Sequence, residues 1–460
     1  ALKEGGKASG MVGVRMREHE EVRLLYGHTE PVRILGKRGA CTRVEEDTRG
    51  GSLDPHGDAM LGRKVGPPGF VLDKYSELHT PSYHGTWTPE APERYVCRFG
   101  EVSRAMSEGE SRRRRTVAVV GGGISGLTAA RALSRAGAAV TVFERGRGPG
   151  GRASRRRSEG FAFDHGAQYF TARGKAFSAQ LEEWLAGGVV DRWDPRMATA
   201  GGGTLRPKNS GTARYVGVPG MSAVARDLAR DLDLRTRSRV TAVTRSAAAG
   251  GWMLSFETAG SGAAEAGPGS PGAADAGRDG VAGPFDAAVL AVTPAQGLPL
   301  LSQRPGFADK AESVRFTSTW AVMLGFDRAP QIEADGIFID DPALRWAARN
   351  DSKPGRDGTL AWVLHASGAW SEGKKDHAPE QVLDELIRAF ERAVGLSLPS
   401  PVFAAAHRWR YAQAGNPLGR GALWDEELQL GMCGDWCAAS RIEGAFESGL
   451  SVSRAVSAAR

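Results

Sequence analysis

The chain has 460 residues, 41% hydrophobic and 25% charged, with a formal net charge of +7. That is ample material for a packed core, and the lack of any run of ~20 apolar residues excludes a membrane-spanning helix. Glycine, at 62 residues, is about twice its usual ~7% share and shows no collagen-like period, so it reads as glycine loops plus low-complexity filler. Much of the positive charge sits in the run Arg112–Arg115. No basic stripe with interleaved aromatics appears elsewhere, so nucleic acid is not expected as a partner. Four cysteines (Cys41, Cys97, Cys433 and Cys437) are too few for a disulfide framework in a chain this long, which fits a reducing compartment.

Residues 1–105 carry Gly, Pro, His, Arg and Glu with little periodicity, and their basic and acidic residues nearly cancel. Short apolar pieces around Val22–Leu25 and Val32–Leu35 can pair as strands, but nothing marks a domain's worth of core. Met106 precedes a short charged arm and a strong strand, so the expected natural start is Met106, with 1–105 an unassigned extension. The basic arm followed by Val117–Leu133 mimics a secretory signal. Three consecutive glycines and Arg131 interrupt its apolar run, and no small-residue cleavage site follows. A cytoplasmic location is therefore expected.

From residue 116 the pattern alternates. Thr116–Val120 is a short, β-branched, uncharged run bounded by glycine, as a buried parallel strand should be. Leu127–Ala136 reads as a helix stopped at Gly137, and Ala139–Phe143 as a second strand, giving one strand–helix–strand unit of about 30 residues. Ser222–Leu234 reads as an amphipathic helix capped by Ser222. Val240–Thr244 and Trp252–Phe256 read as strands. The Gly/Ala/Pro/Ser-rich stretch 257–284 has too little apolar surface to order itself and is expected to be a flexible hairpin insertion. Ala287–Val292 resumes as a buried strand. In Pro379–Val394, Val382, Leu383, Leu386, Ile387, Phe390 and Val394 recur at helical spacing.

Three motifs carry chemistry. Gly121, Gly123 and Gly126 form a GxGxxG that follows a strand and opens a helix, with Glu144 at the tip of the next strand, near the ~20-residue spacing of the dinucleotide fingerprint. The glycines permit a tight turn and close approach of a pyrophosphate to the helix start at Ile124 and Ser125, and Glu144 can accept from a ribose hydroxyl. FAD and NAD both remain open at this point. Arg145 then leads into Gly150-Gly151-Arg152, where a forked guanidinium can meet a phosphate. Near the C-terminus, Gly434-Asp435 follows an apolar strand end and precedes a small-residue helix through Glu443 and Gly444. Asp435 can accept from a ribityl hydroxyl while the helix N-terminus faces flavin and phosphate. The two halves together point to FAD. Cys433 and Cys437 flank the second half, but no further ligands stand nearby, so no metal is expected and the thiols read as buried or idle.

With these motifs the chain from about 116 to 458 resembles the renalase family within the flavin amine-oxidase superfamily. The resemblance rests on Phe163-Asp164-His165-Gly166-Ala167-Gln168-Tyr169-Phe170, Tyr215–Met221, Trp346–Pro354, Arg408–Ala412 and Cys433-Gly434-Asp435. It implies an α/β fold: a Rossmann-like FAD-binding domain built from discontinuous segments plus a mixed-sheet α+β substrate domain. It implies FAD contacts from Ser125, Arg152, Ala167, Gln168, the backbone at Val240, and Asp435. The activity it implies is oxidation of dihydropyridine rings, with hydride passing from misplaced-hydride isomers of NAD(P)H to the flavin and electrons to O2.

The expected division is 106–174, 214–298 and 405–460 for the FAD domain, with 175–213 and 299–404 for the substrate domain. Trp346, Arg349, Asn350, His365 and Trp409, with Trp370, are the candidate substrate-pocket residues. Trp346 and Trp409 would wall the pocket, Asn350 and His365 would bind a carboxamide, and Arg349 a phosphate. The flavin supplies the redox chemistry, so no catalytic side chain is singled out. The nearest rival on the same fold is an amine or polyene oxidoreductase, for which Lys353 is a possible counterpart of a lysine beside the flavin.

Overall fold

A computed structural model of the chain describes residues 22–24, 32–34, 113–209, 211–258 and 278–459. Met106, Arg112, Cys41, Cys97 and residues 259–277 lie outside the described residues. The chain divides into two units, residues 1–97 and 98–460. In the first, Val22–Leu24 pairs antiparallel with Val32–Ile34. The second holds two large sheets.

The nucleotide-type sheet has six strands in the order Asp233–Arg235, Ala139–Phe143, Thr116–Val120, Ala287–Leu290, Leu430–Met432, Leu423–Asp425. The first five run parallel and the last antiparallel. Val117, Val119, Ala287 and Val289 are fully buried, as both-face coverage of a parallel sheet requires. The helix Ile124–Arg135 starts three residues before the expected Leu127. It packs on Ile442–Ala458, which comes from the other end of the chain. The crossing is tight: a Cβ at Gly449 would strike the Ser125 carbonyl oxygen, so only glycine fits there.

Two expectations change. Ser222 is not a cap: Met221 holds that position, and Ser222 Oγ instead accepts from Arg226 Nη1 at 2.8 Å. That helix ends at Leu228, not Leu234, because Asp231 adopts φ +64° and turns the chain into the edge strand. The insertion is also narrower than 257–284. Gly251–Thr258 and Arg278–Phe285 are paired strands of a three-stranded antiparallel sheet with Ser238–Ser246. Phe256 and Phe285 pack against Phe143 of the parallel sheet, at 5.3 and 6.2 Å between ring centroids.

The second large sheet has seven strands: Phe403–Ala414, Phe316–Gly325, Ala361–Ala366, Leu344–Arg349, Gly336–Ile339, Met197–Gly201 and Thr204–Pro207. Gly336–Ile339 and Met197–Gly201 are parallel and the other neighbours antiparallel, so the sheet is mixed. Phe403–Ala414 is its edge strand, so the expected boundary at 405 falls inside a strand of this sheet. Strand alternation divides the two faces. Trp320, Val322, Leu324, Trp362 and Leu364 turn to the helix Pro379–Val394, meeting Val382, Leu386 and Phe390. Each such side chain contributes on the order of 1.5–3 kcal/mol on burial. The opposite face turns toward the parallel sheet and builds the site.

Candidate active site

Strand ends set the position of the nucleotide-type half. Gly121, Glu144, Ala291 and Cys433 immediately follow the carboxyl ends of four parallel strands, where ligands of such sheets bind. The two glycine loops are joined: Gly150 N donates to Gly122 O at 2.9 Å. Glu144 braces both, its two carboxylate oxygens accepting from Gly122 N at 2.7 Å and Gly146 N at 2.6 Å. Each oxygen keeps a second lone pair for a ligand hydroxyl. A Cβ at Gly126 would meet Gly121 O and, at 2.8 Å, the Ala291 side chain, whereas one at Gly123 meets nothing within 4 Å. Gly126 thus serves helix–strand packing, while Gly123 keeps a surface clear beside the helix start. Ser125 Oγ is buried there with no hydrogen-bond partner among the described residues. An open glycine, an orphan hydroxyl and free helix N–H groups fit a dinucleotide pyrophosphate.

The Gly434-Asp435 turn reaches the same cleft. Arg152 grips Asp435 across 283 positions of sequence, Nη2–Oδ1 2.7 Å and Nη1–Oδ2 3.0 Å. It also donates to Ala412 O at 3.1 Å, and Ser440 Oγ donates to Asp435 at 3.2 Å. The guanidinium expected on a phosphate is here committed to the carboxylate expected on the ribityl chain. The pair fastens the two halves together. Glu443, also expected at the cofactor, lines the same cleft and serves there as a buried tie. It accepts from Arg173 N at 2.8 Å, Gly174 N at 2.5 Å and Arg441 Nε at 2.9 Å. Burial alone would raise its pKa, but these N–H donors and Arg441 hold it below the usual carboxylate range. Val240, Arg145, Ile124, Ala167 and Gln168 all line the cleft.

Behind Gln168 lies a group of charges that the sequence reading did not assemble. Asp164, Lys353 and Arg356 have side chains 0%, 0% and 1% exposed. Asp164 Oδ2 accepts from Arg356 at 2.5 Å and Lys353 at 3.5 Å, and Oδ1 accepts from Met221 N at 2.9 Å. Lys353 Nζ also donates to Gln168 Oε1 at 3.2 Å and Asn350 Oδ1 at 3.3 Å. Gln168 Nε2 returns to the Asp164 carbonyl. Burial would raise the Asp164 pKa, but Lys353 and Arg356 bring it below the normal range. Desolvation, opposed by Asp164, pushes Lys353 down to about 8. No local pattern links Asp164 to Lys353, 189 positions away. Only the fold does.

The facing wall comes from sheet register. His407 lies opposite Ala321, Ala321 opposite His365, His365 opposite Trp346, and Trp346 opposite Phe338. Directly paired residues share a face, so one row across five strands presents two imidazoles and two large rings around a small alanine. His165 joins the row, its ring 4.9 Å from Trp409 and 5.1 Å from His407. The His165 carbonyl accepts from Trp409 Nε1 at 3.0 Å and lies 3.1 Å from His365 Nε2. Desolvation lowers His365 to about 4. Desolvation, with the charges of His407 and Arg156, lowers His165 to about 3. Both rings are neutral at neutral pH.

Of the expected pocket residues, Trp346, His365 and Trp409 line the cleft, and Arg349, Asn350 and Trp370 do not. Arg349 is drawn away by Asp335 at 2.8 Å. Asn350 is 2% exposed and donates to Ala162 O at 2.9 Å. Trp370 donates to Glu385 at 2.8 Å. Cys433 and Cys437 are buried free thiols, and desolvation pushes Cys433 up to about 12, which removes them from thiolate chemistry. Among the described residues no group of His, Cys, Asp and Glu is placed to hold a metal. Among the described residues no helix is long and apolar enough to cross a membrane.

The cleft between the sheets encloses about 2440 Å³, beyond the ~300–1,000 Å³ of one small-molecule site and large enough for a dinucleotide cofactor with a substrate. Twelve arginines and three carboxylates line it, with no lysine.

Residues 119–184 match the model for an NAD(P)-binding Rossmann-like domain, and residues 184–457 match the model for flavin containing amine oxidoreductase. Among curated proteins, the chain is 37% identical over 87 residues to a zeta-carotene-forming phytoene desaturase of Myxococcus xanthus, covering 18% of this chain and 16% of that protein. It is 52% identical over 54 residues to a carotenoid 3,4-desaturase of Haloarcula japonica, covering 12% and 11%. The matches span less than a fifth of either relative. Among solved structures, the fold is similar to a putative protoporphyrinogen oxidase from Exiguobacterium, with TM-score 0.56 and 14% identity, covering 75% of this chain and 99% of that one. A putrescine oxidase bound to putrescine gives TM-score 0.55 and 13% identity at the same coverage.

Proposed function

The chain belongs to the flavin containing amine oxidoreductase family and is a flavin-dependent oxidoreductase that holds FAD; from that premise we propose a renalase-like oxidation of dihydropyridine rings. The substrates in this reading are misplaced-hydride isomers of NAD(P)H, and O2 is the final acceptor. The chemistry that bound FAD supplies is acceptance of hydride from a ring carbon, leaving an aromatic pyridinium, and delivery of two electrons with two protons to O2 as hydrogen peroxide.

The observation that carries the reading is the charge of the cleft: twelve arginines against three carboxylates. The two phosphates of FAD offset only part of it, and the remaining field favours an anionic substrate. An aliphatic ammonium, as in putrescine, would enter against like charge. A wholly apolar polyene would leave the guanidinium groups without partners. Trp346, Phe338, Tyr169 and Trp409 offer faces and edges for a flat ring. His165 and His365 are held neutral by desolvation, so the wall supplies hydrogen-bonding groups without opposing the positive charge that forms on the ring. Gln168, fixed by Lys353, holds its place on the cleft wall.

Anaerobic titration of the yellow holoenzyme tests this. Borohydride-generated dihydronicotinamide isomers are expected to bleach the visible flavin band, and admission of O2 to restore it with one peroxide per turnover. Rapid bleaching by putrescine or benzylamine, and none by the isomers, overturns the reading.

A further inference from the structure

His365 stands in the row that lines the cleft, opposite Ala321 on one side and Trp346 on the other. Its Nε2 lies 3.1 Å from the His165 carbonyl oxygen. A carbonyl only accepts, so Nε2 must carry the proton and donate. In a neutral imidazole the other nitrogen is then a bare lone pair. Burial holds the ring neutral, so Nδ1 is an acceptor whose polarity the backbone has fixed. Nδ1 makes no hydrogen bond among the described residues. Unlike His165 Nδ1 it is not enclosed, and with the ring half-buried on the wall it opens to the cleft.

Such an acceptor is the scarcer group here. Twelve arginines line the cleft, and a guanidinium can only donate. Asp435 is held by Arg152 and Ser440, and Glu443 by Arg441 and two backbone N–H groups. Gln168 Oε1 is taken by Lys353 and Gln296 Oε1 by Thr293. Of the three histidines on the cleft, only His365 has a ring nitrogen bonded to the protein among the described residues. Its tautomer alone is set before a ligand arrives. Trp346 and Phe338, with ring centroids 5.0 Å apart, continue its row and offer a flat ring its seat. Of the two side chains expected at a carboxamide, Asn350 is turned to Ala162 and His365 remains.

Resting on the proposed dihydropyridine reading, we propose that His365 Nδ1 accepts a hydrogen bond from the amide N–H of a carboxamide on the substrate ring, and so selects carboxamide-bearing over carboxylate-bearing pyridines. A carboxylate brings no N–H and sets its negative charge against the Nδ1 lone pair. The arginine field pulls the other way, toward the ligand with the extra negative charge. That field is spread over the cleft and screened by salt. The Nδ1 contact is short-range and sits in a desolvated wall, where an unmatched polar atom is costly. The amide therefore wins. His365 binds and orients the ring, takes no proton, and leaves hydride transfer to the flavin.

The test is ligand binding to the oxidised holoenzyme, read from perturbation of the flavin absorbance. The ligands share ribose and phosphate: nicotinamide mononucleotide, nicotinic acid mononucleotide and 3-acetylpyridine mononucleotide, which keeps the carbonyl but carries methyl in place of the amide nitrogen. The amide is expected to bind the wild type about fivefold or more tightly than either of the others. H365L should cut its advantage over the acetyl ligand below about twofold, with the acetyl ligand bound as before. H365N, whose Oδ1 stands near the Nδ1 position, should keep part of the advantage. Tighter binding of the acid, or equal binding of amide and acetyl ligands, overturns the inference in the wild type alone and leaves the dihydropyridine reading standing. An advantage intact in H365L, or equal weakening of all three ligands in both variants, also overturns it. No perturbation by any of the three overturns it together with that reading. Because oxidised enzyme and unreactive ligands are used, failure of the isomers to reduce the flavin, with the ranking observed, counts against the reading alone.

Discussion

The most demanding consequence of the structure concerns Asp164. Replacing it by Asn preserves shape and the acceptor for Met221 N, but leaves the Lys353 and Arg356 charges, 0% and 1% exposed, without a counterion. Breaking a buried pair by removing one partner costs about 3–5 kcal/mol, because the surviving charge is neither solvated nor matched. At about 2 °C per kcal/mol for a unit of this size, the melting temperature of D164N should fall by about 6–10 °C. K353M should cost less, since Asp164 keeps Arg356 at 2.5 Å. The double variant D164N/K353M should be more stable than the sum of the singles predicts, by about 1 kcal/mol or more. Thermal unfolding of the holoenzyme, followed by flavin release and circular dichroism, measures all three. A pH arm isolates the lysine. Its folded pKa of about 8 lies below the ordinary 10.5, so its contribution is fully present above 10.5 and is lost as pH falls through that window to 8. Wild-type stability should therefore rise relative to K353M between pH 8 and 10.5. A loss below about 1 kcal/mol in D164N, or strict additivity in the double variant, would refute the view that these charges depend on one another.

Two further outcomes are expected. G123A should fold as the wild type does, because nothing lies within 4 Å of the added Cβ, yet bind FAD at least tenfold more weakly and purify pale. A melting temperature of the apoprotein well below wild type would instead place Gly123 in the packing. On acidification, His165 and His365, whose folded pKa values of about 3 and about 4 lie below the ordinary 6.5, lose their stabilising contribution as pH falls from 6.5 toward 4. The slope is at most about 1.4 kcal/mol per pH unit for each. Urea unfolding at pH 7, 6 and 5 checks it, and H365N should show a shallower decline than wild type.

What the sequence determined by itself was the nucleotide-binding half. Thr116–Val120, Ala139–Phe143, the glycine turn and Glu144 lie within one short stretch, where period, punctuation and spacing all express local backbone geometry. The strands stand where the periodicity placed them. Gly434-Asp435 was legible for the same reason. Arg349 and Asn350 stand away from the cleft because their partners, Asp335 and Ala162, belong to distant segments of the chain, and residue type alone does not show which face of a sheet a side chain takes. Tertiary structure alone decided that Arg152 would close on Asp435, that Asp164 would meet Lys353 and Arg356, and that His407, His365 and Trp346 would fall into one row. Those relations depend on strand register and on sheets crossing through space. A one-residue slip in register sends every side chain of a strand to the opposite face, and no local pattern along the chain records which register the assembled sheet adopts.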